Sequence, residues 1–456
     1  MKMKKWLKWT LGIAGLGAVV LAGLVASQWS SLRILMGAGG VSGNQAAIPE
    51  KASRVEPASA AEHDWLAWRG ARNDARSTWP GVRKDWTGGL KKTWEVDYLC
   101  RSGNTASWSA PVIRGNRLIV TGRDEGRDLV FALDPASGSL LWEGSYEAPA
   151  RNSHGAGARA TPFIDDSRVY TYGRSGDLVC WNLEDGSVIW HVSVKEAGGA
   201  EPEWGLSSSP LLLGNRVFVQ GGGQARTIAL NKTSGEVLWK SGTGPAGYAA
   251  FATMEVEGET RLIVFHAKGL AGLDPSTGEI LWDLPWETPW DVNATTPVVA
   301  GDRVFITSGY GRGAQLVRVS SRGAEPLWTT TVLSSHHSDP FIVDERIYGY
   351  SGDSTQNRGA FKCLDLATGK EQWSSNEIGW GTCTWIDGHL LCIDIRGNLY
   401  LVRPDPSRLV KVAEFRRALG AISGPVWTVP VVANGRLYLR FKERLLSYDL
   451  ESGPRS

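Results

Sequence analysis

The chain has 456 residues with 49 basic and 47 acidic side chains, so no global charge directs it to nucleic acid. Its 55 glycines and 22 tryptophans are high counts. Glycine at this level is typical of many tight turns, and tryptophan is typical of wide, half-buried sheet faces. The composition therefore indicates an all-β protein with many short strands.

The first 33 residues predict a membrane anchor. Four lysines lie within residues 1–8, and an uncharged run of 24 residues, 9–32, ends before Arg33. A bilayer core needs about 20 apolar residues, and the lysine-rich end faces the cytoplasm. The predicted location is the inner (cytoplasmic) membrane, crossed once, with everything after Arg33 on the periplasmic or extracytoplasmic side. A signal peptide cleaved near Ala26 is the alternative.

The rest of the chain divides into a linker and one repeat domain. Residues 1–8 are predicted as a cytoplasmic basic end and residues 9–32 as a transmembrane anchor or signal-anchor. Gly, Ala, Ser and Pro are frequent in residues 33–63, without periodic apolar positions, and predict a flexible linker. Residues 64–456 are predicted to form a single β-propeller domain.

One string recurs along this domain and ends each time on a tryptophan. It reads ALDPASGSLLW, CWNLEDGSVIW, ALNKTSGEVLW, GLDPSTGEILW and CLDLATGKEQW. An Asp or Asn caps the turn, Gly supplies a positive φ, and the flanking apolar residues form strands, so each copy predicts a β-hairpin. The tryptophan is predicted to pack on the neighbouring sheet. The blade tryptophans are Trp94, Trp142, Trp190, Trp239, Trp282, Trp328 and Trp373.

The spacing of these tryptophans predicts the number of strands in each unit. Successive intervals are 48, 48, 49, 43, 46 and 45 residues, and four-stranded propeller blades repeat every ~40–50 residues. A second string, typified by APVIRGNRLIV, occurs eight times when two degenerate copies are counted. Unit seven has about Val412 in place of its tryptophan, and the last unit, which opens near Pro430, has none. We therefore predict an eight-bladed β-propeller of four-stranded antiparallel blades, closed by the N-terminal strand near Trp94.

The string ALDPASGSLLW resembles the tryptophan-docking motif of the pyrroloquinoline-quinone (PQQ) repeat family, and the resemblance covers residues 64–453. One branch of that family, the quinoprotein dehydrogenases, holds the quinone and a calcium ion at the centre of the ring. Another, the BamB-like branch, is non-enzymatic and serves the assembly of outer-membrane β-barrels. The strings DWLAWRGARNDARSTWPG and GARATPFIDDSRVYTYGRSGDLVC also resemble bacterial BamB-like repeat proteins.

The cysteines depart from both branches. No two of the five are adjacent, as they are beside the quinone of the dehydrogenases, and none precedes Cys100 to carry a lipid as in BamB. No Cys-x-x-Cys pair indicates zinc or redox chemistry. Cys363, Cys383 and Cys392 could form one bridge; alternatively, all five cysteines are buried thiols that pack as small apolar residues.

Propeller geometry predicts where a binding site would lie. The loops that lead into the innermost strands converge at the mouth of the central channel, so residues just before each x-Pro step should face one another. These candidates are Trp108, Arg159, Tyr248, Asn293, His337 and Trp427, with Ser207 and Thr382 at corresponding places. Aromatic rings with a guanidinium, an amide and an imidazole suit a small planar anionic ligand. The alternative is that they only plug the channel mouth.

No catalytic residue and no metal site are predicted. His336 and His337 are adjacent, and adjacent residues on a strand point to opposite faces, so the pair is a poor metal site. No cofactor is expected; PQQ with calcium enters through the family resemblance and has no specific residue to support it.

The sequence predicts a binding or scaffold protein rather than an enzyme, and the resemblance to the BamB-like branch implies a role in envelope or outer-membrane protein assembly. Its partners would be another protein or a small planar anionic ligand at the top face and the membrane through the N-terminal helix, with no nucleic acid. The alternative is a PQQ-dependent dehydrogenase with an atypical site. A third candidate is a protein that binds envelope polysaccharide or peptide through exposed tryptophans.

Overall fold

A computed structural model describes residues 61–101, 105–149, 154–353 and 358–451 of the chain. Within these ranges, 32 strands form eight antiparallel sheets of four strands each, so the predicted eight-bladed propeller is confirmed. One short 3-10 turn, Pro289–Asp291, lies between the fourth and fifth sheets.

Short strands and tight turns alternate through the described residues. In chain order the strands are β1 (Lys92–Val96), β2 (Val112–Arg114), β3 (Arg117–Asp124), β4 (Arg127–Leu133), β5 (Leu140–Glu147), β6 (Phe163–Asp165), β7 (Arg168–Tyr172), β8 (Asp177–Asn182), β9 (Val188–Ser193), β10 (Leu211–Leu213), β11 (Arg216–Gln220), β12 (Thr227–Asn231), β13 (Val237–Ser241), β14 (Ala252–Val256), β15 (Glu259–His266), β16 (Gly269–Leu273), β17 (Ile280–Pro285), β18 (Val298–Ala300), β19 (Arg303–Ser308), β20 (Gly313–Ser320), β21 (Gly323–Thr330), β22 (Phe341–Val343), β23 (Arg346–Asp353), β24 (Arg358–Asp365), β25 (Glu371–Ser375), β26 (Gly381–Ile386), β27 (His389–Asp394), β28 (Leu399–Arg403), β29 (Val410–Phe415), β30 (Val431–Ala433), β31 (Arg436–Phe441) and β32 (Arg444–Asp449).

Blades I to VII each take four consecutive strands, from β2–β5 in blade I to β26–β29 in blade VII. Blade VIII joins the two ends of the domain, because β30, β31 and β32 are completed by β1. Trp94 of β1 lies opposite Ser447 of β32, and Val96 lies opposite Leu445. The predicted closure by the strand near Trp94 is therefore confirmed, and it removes the free sheet edges that an open row of blades would leave.

Tryptophans of the outermost strands hold neighbouring blades together. In six blades the indole N–H donates to a carbonyl in the turn of the next blade over 2.9 to 3.2 Å: Trp94 to Pro135, Trp142 to Leu183, Trp190 to Lys232, Trp239 to Pro275, Trp328 to Leu366 and Trp373 to Asp405. The ring also covers the glycine of that turn. At Gly138, where φ is +75°, a Cβ would lie 2.8 Å from the ring of Trp94, so the repeat needs glycine both for its backbone and for the indole.

Each outermost strand has a β-bulge next to its docking position, which is the residue whose side chain packs on the next blade. In blade VI Trp373 pairs with Cys363, and the register then skips one residue; in blade VII the corresponding partner of Leu401 is Ala413, and the skipped residue is Val412. The predicted substitute for the tryptophan is thus one residue off, because a bulge inserts an unpaired residue just before the docking position.

Among the described residues, blades IV and VII lack the indole hydrogen bond to the next blade. Trp282 has no indole hydrogen bond within the described ranges, since blade V offers a shorter turn between β20 and β21. Blade VII carries Ala413 at the docking position, and Phe415 packs instead on Tyr448 of blade VIII, with ring centroids 5.8 Å apart.

A segment that the repeat pattern does not predict fills the centre of the ring. It starts on the face that carries the turns after the innermost strands, which we call the turn face, where the Asp64 carboxylate accepts from Gly115 N at 2.7 Å and from Asn434 Nδ2 at 3.1 Å. Trp65 then pairs with Ile113 of β2 through two backbone bonds. This segment, residues 64–82, is called the plug.

The plug rises towards the opposite face, on which the chain enters the innermost strands and which we call the loop face. The Trp68 indole donates to Thr296, and Arg69 forms an ion pair of 2.7 Å with Asp339; both partners directly precede an innermost strand's proline. The plug then returns past β26 to the turn face, where Val82 N donates to Asp387. It therefore blocks the channel from the turn face and leaves a blind depression on the loop face.

The predicted single-pass inner-membrane location is corrected by the structure. The described ranges between residues 61 and 451 fold into strands, and they contain no helix long and apolar enough to cross a bilayer. Residues 9–32, predicted as the anchor, and the linker up to residue 60 lie outside the described residues. The inner-membrane location and the membrane contact through an N-terminal helix are accordingly withdrawn.

Because β1 closes the ring, we expect Trp94 to contribute as much to the stability of the fold as a tryptophan in one of the middle blades. Trp94 and Trp190 are equally buried, at 9% exposure, and each makes the same indole bond to the next blade. Replacing either by Ala should lower the free energy of unfolding by about 3–5 kcal/mol, since a large buried ring is lost. Denaturant unfolding of the two variants measures this.

The exposed Trp290 supplies the matched control, because its removal should leave the unfolding midpoint unchanged. If Trp94→Ala were silent while Trp190→Ala destabilised the chain, β1 would not hold blade VIII closed.

Candidate ligand pocket

The depression on the loop face is a cavity of about 500 Å³. Six of the innermost strands have three residues, namely β2, β6, β10, β18, β22 and β30. The residue four positions before each of these strands lines the cavity: Trp108, Arg159, Ser207, Ala294, His337 and Trp427. Equivalent offsets therefore place side chains from six blades around one mouth.

Five of the six predicted site residues are brought together here. Trp108, Arg159, Tyr248, His337 and Trp427 all line the cavity, as does the additional candidate Ser207. That they bind a ligand stays a prediction.

Asn293 does not line the cavity, and the prediction that it faces the mouth is wrong. Asn293 lies four residues before Pro297, whereas the lining residues of the other blades lie three before their prolines, and Ala294 occupies that position. The Asn293 side chain is buried, its Nδ2 donates to His266 O at 2.9 Å, and its Oδ1 accepts from the hydroxyls of Thr288 and Ser308 at 2.7 Å. It therefore fixes the loop between blades IV and V.

Thr382 is also absent from the lining. It lies within β26 and is buried, and its hydroxyl donates to Thr428 O at 3.2 Å.

The deep wall of the cavity is aromatic. The rings of Trp108 and Trp427 lie 4.7 Å apart, and the Trp108 indole donates to His154 O at 2.8 Å. His154 in turn lies edge-on to Trp204 at 5.1 Å. Trp68 of the plug closes the floor. These rings leave one broad apolar chamber whose polar groups are few.

Several lining residues were missed by the sequence analysis. They are Trp68, His154, Glu203, Trp204, Trp290, Tyr310 and His336. Trp290 and Tyr310 form the rim, and both are exposed, at 64% and 38%. Their backbones have positive φ, +62° and +57°. Neither belongs to the repeat, and a positive φ at a non-glycine residue cannot be predicted from these strings.

His336 and His337 are arranged differently from the prediction. Their rings stack side by side, with centroids 3.8 Å apart and planes at 22°, and both line the cavity. The rule that adjacent residues point to opposite faces applies to strands, whereas this pair lies in the loop before β22.

Arg159 is the cation of the cavity. It is half-buried, and one guanidinium nitrogen donates to Trp204 O. Burial, with the nearby Arg174, lowers the pKa of Arg159 to about 10, so the side chain stays charged at neutral pH. Burial, with Arg159, lowers the pKa of His154 to about 4, so that imidazole is neutral at pH 7. The carboxylate in the lining, Glu203, is exposed at the rim.

A calcium-bound quinone does not fit these residues. Ca²⁺ takes six to eight oxygen ligands. The described part of the chain has no group of three or more His, Cys, Asp or Glu side chains that could hold a metal ion. Glu203 is the one carboxylate among the described lining residues, and the Asn293 amide oxygen already accepts two hydroxyl donors.

The electrostatics of the cavity predict an unusual histidine. We expect the His154 imidazole to titrate near pH 4, well below an ordinary histidine, because it is buried beside a cation. NMR of labelled histidine, assigned with a His154→Gln variant, measures this. In Arg159→Gln the pKa of His154 should rise, because the neighbouring positive charge is one of the two causes that lower it.

The same shift has a consequence for stability. The pKa of His154 is lower in the folded chain than in the unfolded chain. As the pH falls, the unfolded chain therefore binds a proton at this residue at a higher pH than the folded chain does. His154 should therefore destabilise the fold as pH falls from about 6.5 to about 4. Titration of His154 near pH 6.5 in the folded chain would contradict the burial of its imidazole beside Arg159.

Comparisons with known proteins agree with the fold. The family model described as outer membrane protein assembly factor BamB matches residues 126–375, which is 250 of the 456 residues and runs from blade I to the end of blade VI. The BamB of Shewanella oneidensis is 24% identical over 381 residues, 76% of this chain and 86% of that protein. The BamB of Escherichia coli is 26% identical over 345 residues, 62% of this chain and 82% of that protein.

Solved structures share the architecture across both branches of the repeat family. The crystal structure of BamB from Moraxella catarrhalis aligns with a TM-score of 0.55 at 16% identity, over 80% of this chain and 99% of that one. A europium-containing methanol dehydrogenase aligns with a TM-score of 0.62 at 12% identity, over 83% and 89%. At such identities the likeness shows the fold alone. The family match, which covers more than half of the sequence, goes further: the chain belongs to the family described as outer membrane protein assembly factor BamB.

Proposed function

We propose that this chain is a binding or scaffold propeller that serves outer-membrane protein assembly by holding a protein partner at its loop face. The observation that carries the proposal is the blind aromatic pocket, to which six blades contribute equivalent residues. Pockets of 300–1,000 Å³ with mostly apolar walls and a few placed polar groups are typical of binding sites. The role in outer-membrane protein assembly is inferred from the names of the family and of the relatives that match.

The rim is the part of the pocket that a protein can reach. Trp290 is the most exposed large apolar side chain of the described residues, and Tyr310 lies on the neighbouring loop. Tryptophan and tyrosine beside a desolvated pocket are the residue types that dominate binding energy at protein interfaces. The partner is therefore proposed to contact this rim.

The assembly role predicts a defect in the native bacterium when the gene is removed. Outer-membrane β-barrel proteins should then decrease in their folded, heat-modifiable form, which gel mobility before and after boiling measures. The full wild-type chain should restore them. Trp290→Ala should restore them less, because a rim contact is lost without loss of folding.

Leu238→Ala is the matched control, since Leu238 is an exposed apolar residue on the outer strand β13, away from the pocket. It should restore the barrels fully. Normal levels of folded barrels after deletion would contradict the assembly role, whereas full restoration by Trp290→Ala would contradict only the place of the contact.

The pocket itself is proposed to take a flat ring with one negative charge. A ring would stack within the walls made by Trp108 and Trp427, and the charge would pair with Arg159. Arg159 is the one Lys or Arg side chain among the described lining residues, and the Glu203 carboxylate is exposed. A small planar anion, or a side chain of the same chemistry on the protein partner, has these features.

Ligand chemistry can be tested with 2-naphthoate and its uncharged amide. Naphthoate should quench the pocket tryptophans and bind more tightly than the amide. Arg159→Gln should weaken naphthoate about 10- to 100-fold, the range expected for a charged hydrogen bond of about 1.5–3 kcal/mol. Isothermal titration calorimetry measures both.

Arg216→Gln, at the start of β11 by the turn face, is the matched control and should bind naphthoate as the wild type does. Equal affinity for acid and amide in the wild type would contradict the anionic part of the proposal. A large loss of melting temperature in Arg159→Gln would instead indicate that the residue only plugs the mouth.

A PQQ-dependent dehydrogenase receives no support from a specific observation. The dehydrogenase neighbours share the fold, and the lining residues lack the oxygen ligands that calcium with quinone would need.

A further inference from the structure

Two cysteines face each other in blade VII. Cys383 of β26 and Cys392 of β27 are directly opposite in an antiparallel pair, and their Sγ atoms are 3.0 Å apart. Opposed residues in such pairs have Cα atoms about 4.5–5.5 Å apart, inside the usual range of disulfides, about 4.4–6.8 Å. A small shift of the two sulfurs would reach bonding distance without moving the strands.

The pairing is specific within the described residues. Cys100, Cys180 and Cys363 are also buried, but none has a sulfur partner there. The sequence left open which of the last three cysteines could bridge, and the register of one hairpin answers that question.

Blade VII also has a weaker attachment to the next blade. It has Ala413 at the docking position and so lacks the indole bond by which most other blades hold their neighbours. Its innermost strand, β26, carries the plug: Ser77 N donates to Trp385 O at 2.8 Å, and Trp385 N donates to Ala75 O at 3.0 Å. One of the strands that bond the plug is thus in a blade that lacks the indole bond.

We propose that Cys383 and Cys392 form a disulfide that fixes β26 to β27 and thereby holds the plug strand in place. The link stabilises the hairpin by limiting the conformations of the unfolded chain. It is independent of the ligand and of the assembly role.

The reaction balances with a small-molecule disulfide, such as oxidised glutathione, as the oxidant. The thiolate of one cysteine attacks a glutathione sulfur, the glutathione S–S bond breaks, and one glutathione thiol leaves. The second cysteine then attacks the mixed disulfide, forms the Sγ–Sγ bond and releases the other glutathione. The cysteines lose two electrons and two protons, and glutathione gains both.

Closure is expected during folding rather than afterwards. Burial, with the neighbouring Cys392, raises the pKa of the Cys383 thiol well above its usual value. Because the thiolate is the reacting species, exchange in the folded chain should be slow in either direction.

Refolding followed by mass mapping tests the bond without any variant. The purified full chain is unfolded with reductant, refolded in a mixture of reduced and oxidised glutathione, alkylated in denaturant and digested with trypsin. Both cysteines lie in the peptide 371–396. We expect this peptide to be unalkylated and lighter by two hydrogens, with the other three cysteines alkylated. Recovery of the peptide with two alkyl groups would overturn the proposal.

The stabilising role is tested by melting temperature. Wild type refolded with reductant should melt a few degrees below wild type refolded with oxidised glutathione. A double variant, Cys383→Ala with Cys392→Ala, should melt at the same temperature after either treatment, while Cys363→Ala should keep the difference. Identical melting of the two wild-type preparations would overturn the stabilising role.

Discussion

The structure depends on one contact repeated around the ring: an indole that lies on the glycine of the next blade and donates its N–H to a carbonyl of the same turn. Each sheet has four strands and could not bury its faces alone. The indole joins two sheets through both apolar area and a satisfied donor, as at Trp94 and Gly138. The bulge before the docking position turns the ring towards its neighbour, and the residue skipped there is exposed in most blades, as at Leu238, whereas Leu141 is buried.

Because this contact lies at the outside of the ring, the inside is free for other uses. The plug occupies it with bonds to blades far apart in sequence, including the ion pair of Arg69 with Asp339, in which both side chains are almost fully buried. A buried pair of this kind fixes geometry more surely than it adds stability. Its effect here is to turn a through-channel into a pocket with a floor, which limits the site to a ligand or side chain that enters from one face.

The parts of the fold predictable from sequence are those that repeat. Turn chemistry and the tryptophan interval predicted the blades and the closure by β1, and counting back from each proline predicted where Arg159 and Trp427 lie. Asn293 lies one residue further from its proline than the others and is buried, whereas Ala294 at the equivalent offset lines the mouth, so the repeat fixes the position but not the residue type found there. Three features lie in segments that occur only once: the plug, the rim aromatics and the stacked pair of histidines. Contacts between distant residues decide the conformation of these segments, and no repeated sequence pattern predicts it.

The rim shows how a rigid ring permits local strain. Trp290 and Tyr310 hold a large side chain in the left-handed region, which costs of order 1–3 kcal/mol at each residue unless surrounding contacts fix it. Burial does not compensate that cost at Trp290, because most of the indole faces solvent. Other contacts of the loop fix its backbone: Asp291 pairs at 2.6 Å with Lys268 of the turn between β15 and β16, and the Asn293 amide donates to His266 O. An indole held exposed at this cost supports the proposal that the rim, more than the depth of the pocket, contacts a protein partner.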